Sequence, residues 1–241
     1  MRTIKPALVL SVLLLQACSD EPIIAASECI NELSVTEAEQ GWFLLFDGYS
    51  LKQWRSYQED QLSDGWQIEN GCLARVGRAG DIITREMFGN FELSLEWRIS
   101  ESGNSGIFVR GDEVGGFMTR NGLEMQILDN AGHFDARFEA HRAGDYYDMI
   151  AAPFDTTRPP LSWNHARIIA DGSRFEFWLN GQQTAAFDTA SAQWQALKAA
   201  SKFADMPDYG QLPEGHIGLQ YHFDKVWFRN IKLRRLPAGA P

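Results

Sequence analysis

Between Phe91 and Ile99 the chain alternates apolar and polar residues almost without a break. Phe91, Leu93, Leu95, Trp97 and Ile99 fall on one side, and Glu92, Ser94, Glu96 and Arg98 on the other. A period of two is the signature of a strand with one buried face. The segment Arg174–Leu179 alternates in the same way and runs into Asn180-Gly181, a pair that tolerates the positive φ angles of a tight hairpin. Asn70-Gly71 repeats that signal before Cys72. Further strands are predicted at residues 106–110, 123–128, 166–170, 216–222 and 226–234. Helical periodicity is weak, with one short helix expected around 190–199. Many strands and little helix predict an all-β domain, a sandwich or a barrel, and 8 Trp with 15 Phe supply dense core material.

The N-terminus follows a different pattern. Arg2 and Lys5 precede an apolar run over residues 7–15 that only Ser11 interrupts. That run is too short to span a bilayer and has the form of a signal-peptide core. It ends in Leu15-Gln16-Ala17-Cys18, which resembles a bacterial lipobox, with Gln16 the departure. The expectation is a signal peptide over 1–17, lipid on Cys18, a polar tether over 18–40 and one domain over 41–236. Lipid would hold the protein at the membrane without a spanning helix. Ser19 in place of an inner-membrane retention Asp points to the outer membrane, facing the periplasm. Cys29 and Cys72 remain, either as a disulfide permitted by an oxidising compartment or as two thiols. Residues 1–17 carry two of the positive charges and none of the negative ones, so the mature chain keeps 20 Lys and Arg against 32 Asp and Glu. So acidic a surface repels nucleic acid and anionic lipid and excludes both as partners.

Alternation also sorts chemistry by face. The outward sets are Glu92, Ser94, Glu96 and Arg98; Glu124 and Gln126; His216, Gln220 and His222; and Arg174, Glu176 and Trp178. If these strands share one sheet, its outer face offers carboxylates, guanidiniums, an amide and an indole. Such a face suits sugars, whose hydroxyls take planar donors and acceptors and whose C–H faces stack on aromatic rings.

Eight segments in order carry a resemblance to one family. The first four are Leu45-Phe46-Asp47-Gly48 with Leu51 and Trp54, Asn104-Ser105-Gly106-Ile107-Phe108-Val109-Arg110, Glu124-Met125-Gln126-Ile127-Leu128-Asp129, and Gly144-Asp145-Tyr146-Tyr147-Asp148. The rest are Trp163-Asn164, Trp178-Leu179-Asn180-Gly181, Gly215-His216-Ile217-Gly218-Leu219-Gln220, and Trp227-Phe228-Arg229-Asn230-Ile231. Over roughly residues 41–236 the chain resembles the 3-keto-disaccharide hydrolase family. The resemblance implies a concanavalin A-like jelly roll, a two-sheet antiparallel β-sandwich with its site on a concave face. It also implies an exported enzyme that cleaves glycosides carrying a ketone at C3, by β-elimination and hydration. A sugar 3-dehydrogenase would supply such a substrate.

That chemistry needs a base near neutral pKa, an electropositive group at the ketone oxygen, and an acid or metal at the leaving group. His222 is the expected base, Arg110 the expected enolate partner and Glu124 a third catalytic group. The family often has an acidic residue before this histidine and glycine after it, where this chain has Tyr221 and Phe223. Glu96, Arg98, Asn104, Gln126, Asp129, Tyr147, Trp178 and Gln220 are the expected sugar contacts. Glu124, Gln126 and His222 could alternatively ligate a divalent cation, calcium or manganese. His133, His141 and His165 read as loop or surface residues, and Arg234-Arg235 as a solvated strand end. Two rival functions remain open. One is an ordinary retaining glycosidase using Glu124 and Asp129, which requires carboxylates about 5 Å apart. The other is a sugar-binding module without catalysis.

Overall fold

The computed structural model describes residues 29–237. One antiparallel sheet holds β1 (Trp42–Leu44), β3 (Trp66–Glu69), β4 (Cys72–Arg75), β6 (Phe91–Ile99), β9 (Asn164–Asp171), β10 (Arg174–Leu179), β11 (Gln182–Asp188) and β13 (Val226–Arg235). Its order is β11-β10-β9-β6-β13-β4-β3, with β1 paired to β13. A second sheet holds β2 (Trp54–Ser56), β5 (Ile82–Thr84), β7 (Asn104–Gly111), β8 (Leu123–Leu128) and β12 (His216–Leu219), in the order β2-β5-β12-β7-β8. Leu93, Leu95, Trp97, Ile168, Phe177 and Phe228 from the first sheet meet Ile107, Val109, Met125, Ile127 and Leu219 from the second in one buried core. The expected two-sheet sandwich is therefore the fold, and the strand Phe91–Ile99 takes the face its alternation predicts.

Turn chemistry also lands where the sequence puts it. Asn180 and Gly181 have φ of 50° and 82°, and Asn70 and Gly71 have 51° and 78°. Both pairs are positive at both positions, the geometry a two-residue hairpin turn requires. The helix expected near 190–199 is α2 (Ala192–Ala200), capped by the Ser191 side chain accepting from the Trp194 N–H.

The assignment of faces needs one correction. The segments 91–99 and 174–179 lie in the first sheet, whereas 123–128 and 216–219 lie in the second. Their polar faces therefore look out on opposite sides of the sandwich. Alternation fixes a side chain's direction relative to the core, but not the sheet its strand joins. The strand expected over 216–222 also stops at Leu219, and His216 is buried.

Residues 29–40, expected as tether, are fastened to the sandwich. Cys29 is bonded to Cys72. The Asn31 amide donates to Gly71 O at 2.9 Å, and Glu37 of the short helix α1 (Val35–Glu39) pairs with Lys232 at 2.9 Å. The expected signal peptide and the lipidation at Cys18 lie outside the described residues.

Candidate active site

The strongest chemistry gathers on the outer face of the five-stranded sheet. Glu124 points outward from β8 opposite Phe108 of β7, and its side chain runs diagonally over Gly106. A Cβ at Gly106 would collide with Glu124 Oε1, so glycine is what lets the carboxyl lie across the β7 backbone. The carboxyl reaches Gln220, which directly follows β12 and is pinned by its own N–H to Gly106 O at 2.9 Å. The Gln220 amide donates from Nε2 to Glu124 Oε1 at 3.1 Å. On the other flank Tyr147 N donates to Glu124 O at 3.1 Å, and Gln126 N to Asp145 O at 3.0 Å, so an irregular segment covers the sheet edge.

Glu124 ends up 2% exposed. Burial raises its carboxyl to about 8, against the pull of the Lys202 ammonium. Glu124 Oε2 and Gln220 Oε1 are buried without a hydrogen-bond partner among the described residues, as is Asn104 Oδ1. Unpaired buried polar atoms cost about 1–3 kcal/mol each. The Lys202 ammonium lies 3.8 Å from the centroid of the Tyr147 ring. Burial lowers the pKa of Lys202 and raises that of the Tyr147 hydroxyl. His141 stands between Asp135 and Asp148, 3.3 Å from each.

A second group stands beside the first. Asp81, just before β5, accepts from Tyr221 N at 2.8 Å, and burial pushes its carboxyl up to about 6. His222 is exposed, with Nδ1 3.9 Å from Asp224 Oδ2. Asp224 in turn accepts from Asn104 N at 3.0 Å. The His133 ring meets His222 edge-on, with centroids 6.2 Å apart. Backbone N–H of Asp135 donates to His133 Nδ1 at 3.0 Å. That bond occupies the Nδ1 lone pair, so in the neutral ring the proton sits on Nε2.

The chain matches the profile of the 3-keto-alpha-glucoside-1,2-lyase-like domain over residues 41–234. It belongs to that family. A 3-keto-disaccharide hydrolase of Bacteroides thetaiotaomicron is 32% identical over 239 residues, covering 86% of this chain and 82% of that protein. The crystal structure of a candidate glycosyl hydrolase from Parabacteroides distasonis superposes with a TM-score of 0.79 at 26% identity, over 86% of this chain and 99% of that one. A Bacillus subtilis protein of galectin-like fold gives 0.51 at 16% identity, over 78% and 92% of the two chains, and shows the architecture alone. These likenesses bear out the family resemblance, the jelly-roll sandwich and the expectation of a hydrolase acting on glycosyl bonds.

Of the residues singled out from sequence, this lyase-like domain brings together Glu124, Gln220, Asn104, Tyr147 and His222. Gln126 shares the outer face of β8, where its Oε1 accepts from Ile127 N at 3.1 Å. Asp129 is taken up by the backbone, accepting from Ser102 N at 2.7 Å and Ala131 N at 3.1 Å.

Arg110 is elsewhere. The β7–β12 register shifts between His216 and Gly218, and Arg110 takes a φ of 52°. This bulge turns its side chain away from the face that alternation assigns it. The guanidinium donates to Gly89 O at 3.0 and 3.1 Å, to Gly172 O at 2.6 Å and to Asn90 Oδ1 at 3.2 Å, over the Phe175 ring. With its guanidinium committed to these carbonyls, it does not face a ketone held at Glu124.

Glu96, Arg98 and Trp178 lie on the opposite face of the sandwich. Glu96 pairs with Arg229 at 2.8 Å, the Arg98 guanidinium lies over Trp163 and Trp227, and Trp178 Nε1 donates to Glu176 at 2.9 Å.

Two of the residues expected to hold a cation have protein partners, Gln126 Oε1 accepting from Ile127 N and Glu124 Oε1 from the Gln220 amide. Glu124 is held by Gln220, and His222 groups instead with His133 and Asp224, whose ligand atoms lie within 4.8 Å of one another. That trio fits a divalent ion poorly, because His133 Nε2 carries the proton. Asp81, Lys202 and Asp224 carry no signal in the sequence, and His133, which reads there as a loop or surface residue, stands at the site. Each sits in a loop, and the one local signal is His133 two residues before Asp135, a cap on the 3₁₀ turn Phe134–Arg137.

Proposed function

We propose that this chain cleaves glycosides bearing a ketone at C3 by elimination across C1–C2 and addition of water. The observation that carries this reading is Glu124, a buried carboxyl whose pKa of about 8 keeps its proton at neutral pH. It shares the sheet end with the exposed imidazole of His222, two residues after its partner Gln220. A carboxyl that can give a proton and an imidazole that can take one are what a keto-activated elimination uses.

His222 takes the proton from C2, acidified by the adjacent ketone. The electron pair moves onto the ketone oxygen as an enolate. His133 meets that oxygen with its Nε2–H, the role Arg110 cannot fill. Collapse of the enolate forms the C1=C2 double bond and breaks the C1–O bond. Glu124 gives its proton to the departing oxygen. Water then adds at C1 and C2 regains a proton, so the sum is hydrolysis. The Lys202 ammonium is the strongest opposite charge acting on Glu124, and in this reading it moves aside as substrate enters. A retaining glycosidase is a weaker reading, because Asp129 is bonded to the backbone N–H groups of Ser102 and Ala131.

Export and lipid anchoring at Cys18 belong to the same proposal. The Cys29–Cys72 disulfide supports an oxidising compartment. An oxidation at C3 must come first, which a sugar dehydrogenase would supply. The mechanism is tested by running the cleavage of a 3-keto-glucoside in D2O to low conversion. The released 3-keto-sugar is expected to carry deuterium at C2 beyond that in unreacted substrate. Protium retained at C2 would mean that the C1–O bond breaks without removal of the C2 hydrogen, and would sink the mechanism.

A further inference from the structure

Each histidine of the facing pair is followed by an exposed phenylalanine. Phe223 follows His222 and is 76% exposed, and Phe134 follows His133 and is 60% exposed. Phe138, 46% exposed, stacks edge-on against Phe134 with centroids 5.4 Å apart, and Tyr221 lies 4.9 Å from Phe223. The two rims therefore flank the gap across which His133 and His222 meet.

Phe223 is the more telling of the two, because its φ is 64°. A left-handed backbone is costly for a side chain with a Cβ and rare for a bulky one. Such a conformation persists when surrounding structure enforces it, and an outlier beside a site is a reason to look for function. Here the ring recovers little of that cost through burial. The strain keeps an apolar ring in water next to the expected base.

The type of ring narrows the ligand. Tyr and Trp carry a polar handle suited to hydroxyl-bearing ligands, and phenylalanine has none. Tyr221 backs Phe223, but the most exposed rings of the rim are Phe134, Phe138 and Phe223, and these suit a flat ring without hydroxyls better than the face of a second sugar. We propose that Phe223 and Phe134 form a subsite for an aromatic aglycone, so that the preferred substrates are aryl glycosides. This rests on the glycoside-cleaving reading above and names its substrate class.

Calorimetry separates the two. The probes are phenyl glucoside and methyl glucoside, neither oxidised at C3, titrated into the unaltered protein, Phe223→Gly and Phe223→Tyr. The expected result is phenyl glucoside binding about tenfold tighter than methyl glucoside, a difference of about 1.4 kcal/mol. Phe223→Gly should bring the ratio close to one, while Phe223→Tyr, which keeps the ring, should restore most of it. Because glycine relieves the left-handed φ, Phe223→Gly should also hold or raise the Tm, by roughly 2 °C. Equal binding of the two glucosides, or a phenyl preference that survives Phe223→Gly, would overturn the subsite. A Tm lowered by several degrees in Phe223→Gly would show that the ring packs for stability, and would overturn it as well. Failure to cleave any keto-glycoside, with the phenyl preference intact, would remove the proposed chemistry and leave the subsite standing.

Discussion

Replacing Glu124 with glutamine separates what this side chain does for the fold from what it does for catalysis. The carboxyl titrates at about 8 in the folded protein, against an ordinary value of 4.5, because burial penalises the charged form. Between those two values the native state binds one proton more than the unfolded chain. Stability must therefore fall as pH rises through that window. At pH 7 the unfolded carboxylate is fully ionised while the native one is still mostly protonated, which costs about 3 kcal/mol relative to pH below 4.5. Glu124→Gln keeps the acceptor for the Gln220 amide and removes the titration. Urea unfolding at pH 5 and pH 7.5 reads the difference. The wild type should lose the larger share of its stability over that range, and the variant should be the more stable protein at pH 7.5. Asp81, raised to about 6 by burial, titrates in the same window but contributes to both curves and cancels in the comparison. Activity should move the other way, with kcat/KM falling by about 10²-fold or more as the proton donor is lost. Parallel stability curves for the two proteins would refute the reasoning, since they would mean that Glu124 is ionised and paired with Lys202 at neutral pH.

Three further outcomes follow from the same geometry. Gly106→Ala, whose methyl would displace the Glu124 carboxyl, should cost about 10²-fold in kcat/KM, and the alkaline limb of the wild-type rate profile near pH 8 should shift with it. Arg110→Met strands the carbonyls of Gly89 and Gly172, so it should lower stability by about 3 kcal/mol while leaving kcat/KM of the folded protein within about twofold. Chemical denaturation with and without reductant should differ by about 4 kcal/mol, because Cys29–Cys72 closes a separation of 43 residues, and the oxidised chain should weigh two hydrogens less.

The residues that spoke clearly in the sequence are those whose structure is local. Alternation over Phe91–Ile99 reports one strand's contact with one core. Asn180-Gly181 reports two backbone angles. Glu124, Gln220 and His222 were recognised, but the reason they meet was not, since β8 reaches β12 only through β7 and the contact depends on Gly106 having no side chain. The same non-locality hid Asp81 and Lys202 and made His133 read as a mere loop residue, since the three arrive on loops far apart in the chain. Arg110 misled because a single bulge inverts the face on which a strand residue points, and a period-two pattern has no way to announce an extra residue. Glu96, Arg98 and Trp178 misled for a different reason, because their alternation is correct and only the sheet they belong to was unknown.

The account's central claim is that the C3 ketone makes the glycosidic bond cleavable at this site. It is tested most directly by incubating the protein with 3-keto-trehalose and 3-keto-sucrose beside trehalose and sucrose, and repeating the set with His222→Ala. Cleavage of the two oxidised sugars alone, lost in His222→Ala, is the predicted result. Cleavage of the unoxidised sugars at a comparable rate, or of none of the four, would contradict it.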